Sequence, residues 1–69
     1  MVEVFKTNVQ HRELAEQLAS ILRGRLAFCK INFDLEDCDK ILRVEGKQVC
    51  VEIIIEILST HGLQCEVLT

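Results

Sequence analysis

The chain has 69 residues, of which 49% are hydrophobic, with three glycines and no proline. That is one domain near the lower size limit for a self-sufficient core, and the composition excludes a disordered tail or a low-complexity linker. A formal charge of −3 argues against nucleic acid and anionic membrane as partners.

The longest apolar run, Ile53-Ile54-Ile55, is closed in by Glu52 and Glu56. It falls far short of the ~20 apolar residues that span a bilayer. The opening residues, Met1-Val2-Glu3-Val4-Phe5-Lys6, lack the basic stretch and apolar core of a secretory signal. The expected compartment is the cytoplasm. There the four cysteines, Cys29, Cys38, Cys50 and Cys65, are expected as thiols, and no two of them form a Cys-x-x-Cys pair.

Residues 2–6 read as a first strand. An amphipathic helix is expected over about residues 10–23, because Leu14, Leu18, Ile21 and Leu22 recur at i, i+4, i+7 and i+8. Thr7 with Gln10 matches a capping box, and Asn8 is the alternative cap. Glu13 and Glu16 near the helix start, with Arg23 and Arg25 near its end, complement the helix dipole. Gly24 is expected just past the helix end.

Residues 26–33 alternate with period two, Ala27, Cys29, Ile31 and Phe33 on one side and Leu26, Phe28, Lys30 and Asn32 on the other. The polar turn Asp34-Leu35-Glu36-Asp37-Cys38-Asp39 leads into a second alternating run over residues 40–45, which makes a hairpin. Gly46 separates that run from a second helix over about residues 48–61, and Gly62 is its expected stop. In this helix Val51, Ile54, Ile55 and Leu58 form a core stripe, with Cys50, Ile53 and Ile57 in a strip beside it that is expected to pack on the first helix. Residues 63–68 alternate as a last strand.

The order βαββαβ points to an α+β, ferredoxin-like sandwich over the whole chain, residues 1–69. Right-handed crossovers place both helices on one face of a four-stranded antiparallel sheet. If Val2 and Val4 join the helix-facing set, then Phe5, Phe28, Ile41 and Leu68 point to the open face and form an apolar patch. The opposite phase of the first strand turns Phe5 inward and leaves three residues in the patch.

Three segments resemble one family within that fold, the heavy-metal-associated (HMA) domains of copper chaperones and metal-pumping ATPases. Ile31-Asn32-Phe33-Asp34-Leu35-Glu36 resembles their second strand and turn, and Leu42-Arg43-Val44-Glu45-Gly46 their third strand. His61-Gly62-Leu63-Gln64-Cys65-Glu66-Val67 resembles the end of their second helix and their last strand. The family holds its soft metal in a Gly-Met-x-Cys-x-x-Cys loop after strand one. Here Val9 stands at the methionine, a buried anchor, while His11 and Leu14 stand at the two cysteines. The resemblance therefore implies the fold and the anchor, without the thiolate pair.

The remaining motifs carry little chemistry. The acidic turn lacks the glycine and the distant glutamate of a calcium loop. Neither a Cys/His/Asp nor a Ser/His/Asp constellation is legible, and a glycine-rich phosphate loop is absent, so no enzyme is expected. The first reading is an interaction or regulatory module without a cofactor, meeting a protein partner or a second copy through Phe5, Phe28, Ile41 and Leu68. The alternative is a copper- or zinc-binding protein that uses His11 with Cys38 or Cys65. A third is a small-molecule sensor resembling ACT domains, which have the same element order but usually a glycine after strand one.

Overall fold

In a computed structural model, which describes residues 1–68, the elements run β1 (Val2–Thr7), α1 (Arg12–Arg25), β2 (Lys30–Asp34), β3 (Ile41–Glu45), α2 (Val51–Thr60) and β4 (Cys65–Leu68). The strands form one antiparallel sheet in the order β2-β3-β1-β4. This is the ferredoxin-like arrangement expected from the element order. α1 lies against β2 and α2 against β4, with the two helices touching each other.

Sheet register decides which residues meet the helices. Phe5 stands opposite Leu42 on β3 and Val67 on β4, and Ile31 stands opposite Val44. Directly paired residues share a face, so Phe5 joins the helix side. It is fully buried there, among Leu18, Leu22, Leu42, Val44, Ile54 and Leu58. The expectation that Val2 and Val4 face inward is therefore corrected. β1 is apolar on both parities, and its register puts Phe5 beside Leu42 and Val67 while Val4 stands beside Arg43 and Leu68 on the other face.

The helices differ from expectation in detail. α1 begins at Arg12 rather than Gln10 and runs through Gly24 to Arg25, where the Leu26 amide still reaches the Leu22 carbonyl at 2.7 Å. Its buried face is Ala15, Leu18, Ala19 and Leu22, with Leu14 half-buried and Ile21 exposed. The small alanines, invisible to a search for large apolar residues, let the helix backbone approach β2. α2 starts at Val51, later than expected, because Val49 is itself buried and Cys50 is extended. Ile57 is buried and Ile53 packs against the core, so most of the strip beside the core stripe turns inward.

Gly62 ends α2 as expected. Its φ is +75°, and two reversed hydrogen bonds close the end, Gly62 N–H to Ser59 O and Leu63 N–H to Leu58 O, both 2.9 Å. The β2–β3 turn ends at Lys40, whose φ of 48° is left-handed and costs a side chain about 1–2 kcal/mol. Its amide donates to Asp37 O at 3.0 Å and its Nζ to Leu35 O at 3.0 Å, which holds the strained residue in place.

The two phenylalanines first placed on the open face are predicted to behave in opposite ways. Phe5→Ala should lower unfolding free energy by about 3–5 kcal/mol through the cavity it leaves. Phe28→Ala should stay within about 0.5 kcal/mol of the parent. Urea denaturation of both variants checks this, and equal losses would contradict the register.

Candidate functional site

The β1–α1 joint, where the resemblance places a metal loop, is taken up by structure. The Thr7 side chain, buried at the end of β1, donates to Lys40 O and accepts from Val9 N–H at 3.2 Å. The Thr7 amide donates to Asp39 O at 3.1 Å. Asn8 Oδ1 accepts the Gln64 amide at 2.9 Å and so ties the joint to the start of β4. Neither side chain caps α1, contrary to expectation; His11 is the N-cap residue and makes no side-chain cap bond among the described residues. Val9 is fully buried.

His11 is exposed and Leu14 half-buried. Among the described residues, no group of three metal-capable side chains includes His11, and neither Cys38 nor Cys65 joins it in one. β2 and β4 occupy opposite edges of the sheet, which separates Cys29 from Cys65. The one metal-capable group among the described residues is Asp37, Cys38 and Asp39, three neighbours in the turn with ligand atoms within 4.8 Å of one another. Two carboxylates of this turn serve the loop itself. Asp34 Oδ1 accepts the Glu36 amide at 3.2 Å and Asp37 Oδ1 the Asp39 amide at 2.8 Å. Asp39 also meets Lys6 at 3.8 Å. These are the bonds of a self-capping acidic turn.

The expected patch of Phe5, Phe28, Ile41 and Leu68 does not exist as one surface. Phe5 is in the core. Ile41 does lie on the open face, in register with Lys6 and Asp34, yet is only 8% exposed. Leu68 stands on the same face beside Val4 and is 39% exposed. Phe28 is not in a strand at all: β2 begins at Lys30, and residues 26–29 make a turn closed by Cys29 N–H to Leu26 O at 2.9 Å. Phe28 is 98% exposed.

That turn forms one wall of an open crevice at the end of the domain opposite the acidic turn. Arg25, Leu26, Ala27, Phe28 and Cys29 line it from one side, Lys47 and Gln48 from the other. Gly46 joins the two walls. A Cβ there would lie 2.7 Å from Cys29 Sγ, so any other residue would have to push that sulfur aside. The sulfur also lies 3.5 Å from Gln48 O, and the Gly46 amide donates to Met1 O at 2.9 Å. Arg25 and Lys47 are the crevice residues that the periodicity did not single out. The local signal was the placement of Gly46 before a cation, which acquires meaning only with Cys29 beside it.

Comparison with family models, curated proteins and solved structures returns no match to this chain.

The four thiols are free and differ in setting: Cys38 and Cys50 are exposed, Cys29 and Cys65 half-buried. Burial pushes the Cys65 thiol up to about 11. Below about pH 8.5, the ordinary cysteine value, this thiol is neutral in both folded and unfolded chains. Above it the unfolded thiol ionises first, so stability is lost as pH rises toward 11. Urea midpoints across this alkaline range should fall less steeply in Cys65→Ala than in the parent. Identical slopes would contradict the assignment. A thiol reagent should label Cys38 and Cys50 before Cys65.

Proposed function

We propose that the chain is a non-enzymatic interaction module on an HMA-like domain, cytoplasmic in location, whose metal loop has become a structural joint. The element order and the buried Val9 at the anchor position support the HMA-like reading. The hydrogen bonds of Thr7 and Asn8, with Leu14 at a thiolate position, support the loss of metal handling. The proposed docking surface moves from the sheet face to the turn after α1.

One observation carries this reading, the near-complete exposure of Phe28 on a hydrogen-bonded turn beside the apolar side chains Leu26 and Ala27. Exposed aromatic rings anchored on ordered backbone are what protein interfaces bury at their centres, since a rigid ring loses little conformational entropy on binding. A small domain with no enclosed catalytic cleft among its described residues fits such a role better than chemistry on a bound substrate.

The test places a benzophenone amino acid at position 28, and separately at the exposed helix position Gln17, in the cells that make the protein. Irradiation should give a discrete protein adduct from position 28 and not from position 17. Matching ladders from both positions, or no adduct from either, would contradict the proposal.

A further inference from the structure

We infer that the crevice between residues 25–29 and 46–48 receives an acidic, extended segment of a partner protein, with one apolar side chain of that segment packed on Phe28. This rests on the interaction-module reading above and names the chemistry of the partner.

Charge is the first argument. The chain is acidic overall, at −3, yet among the described residues the crevice is lined by two cations, Arg25 and Lys47, and by no carboxylate. The one ion pair among the described residues is Lys6–Asp39, at the other end of the domain. Arg25 has a role inside the fold, since it sits in the last turn of α1 where a cation complements the helix dipole. Lys47 has no such role. It precedes the N-terminus of α2, the end that attracts anions and disfavours cations. An anion in the crevice would meet Lys47 together with Arg25, which lines it too.

The second argument is the lining. Leu26, Ala27, Phe28 and Cys29 give one wall an apolar surface. A purely ionic ligand would leave Phe28 in water, whereas an acidic segment with an apolar anchor covers the ring and meets the cations at the rim. The distribution is unlike a phosphate-binding track, which needs a row of cations to neutralise successive phosphates; here two cations flank an apolar wall.

The occupant is not a second copy of the chain. Its own acidic segment, the turn at 34–39, is locked by Asp34 and Asp37 accepting backbone amides and by Lys40 Nζ on Leu35 O. Leu35 packs against the core, so this turn has no free apolar side chain to offer.

The test uses a short synthetic peptide of Asp and Glu around a central Leu-Phe pair, titrated into the reduced, isotope-labelled protein and read by amide NMR shifts. Saturable shifts confined to residues 25–29 and 46–48 are expected. Affinity should fall about tenfold in Phe28→Ser and in Lys47→Glu, and should weaken as salt is added. Replacing the peptide's Leu-Phe pair with Ser, or its acids with amides, should have the same effect. Both positions are exposed, so unchanged shifts elsewhere in the spectrum report that each variant is folded. Absence of shifts, equal binding by the amide peptide, or concentration-dependent self-association through these residues would overturn the inference. A single-stranded oligonucleotide that shifts the same residues more strongly would do the same. A discrete adduct from position 28 alongside a silent peptide titration would leave the interaction module standing with a different partner chemistry; silence in both would remove both.

Discussion

A single buried hydroxyl organises one end of this domain. Thr7 ends β1, its amide bonded to Asp39 O, its side chain donating to Lys40 O and accepting from Val9 N–H. These three bonds join the central strand, the start of α1 and the β2–β3 turn. A buried hydroxyl left without partners costs about 1–3 kcal/mol, so the arrangement constrains every segment it touches. Asn8 extends the tie to β4 through the Gln64 amide. The joint after β1 thereby spends its polar groups on the fold itself. A loop that grips a soft metal ion linearly needs two thiolates in one turn, and this joint carries no cysteine.

The opposite end is built on another principle. There α1, β2, β3 and α2 all have a terminus, and close approach of Gly46 to Cys29 brings two loops together without a polar network. One wall there is apolar, and Arg25 and Lys47 line the crevice, neither in an ion pair among the described residues. Closed polar bonding thus lies at one end of the strand axis and an open, partly apolar surface at the other. The domain contains both because its sheet, covered on one face by α1 and α2, supplies the rigidity that each loop lacks.

How much of this was legible in the chain varies with the range of the determining contact. Gly62 announced its role locally, because an amphipathic run ending in glycine before an alternating run has few other solutions, and its φ is +75°. Gly24 carries the same local signal and misleads, since α1 continues through an exposed glycine at a cost of about 1 kcal/mol and gains the Leu22–Leu26 bond. Val2-Glu3-Val4-Phe5-Lys6-Thr7 carries apolar residues on both faces, so its phase was undecided until Leu42 and Val67 stood beside Phe5. Residues 26–29 continue the alternation of β2 backward, and only the Leu26–Cys29 bond shows that the strand starts later. The crevice was the least legible feature, for it depends on Cys29 meeting Gly46, a contact between segments far apart in the chain that leaves no local periodicity.

The account turns on the claim that the β1–α1 joint is a structural tie and not a metal loop. The most direct measurement is a titration of the reduced, isotope-labelled protein with Cu(I) and then Zn(II), followed by amide NMR. The account predicts that the amides of Thr7 to Leu14 stay in place at stoichiometric metal. Saturable shifts across Val9 to Leu14, accompanied by a cysteine and lost in His11→Ala, would contradict it.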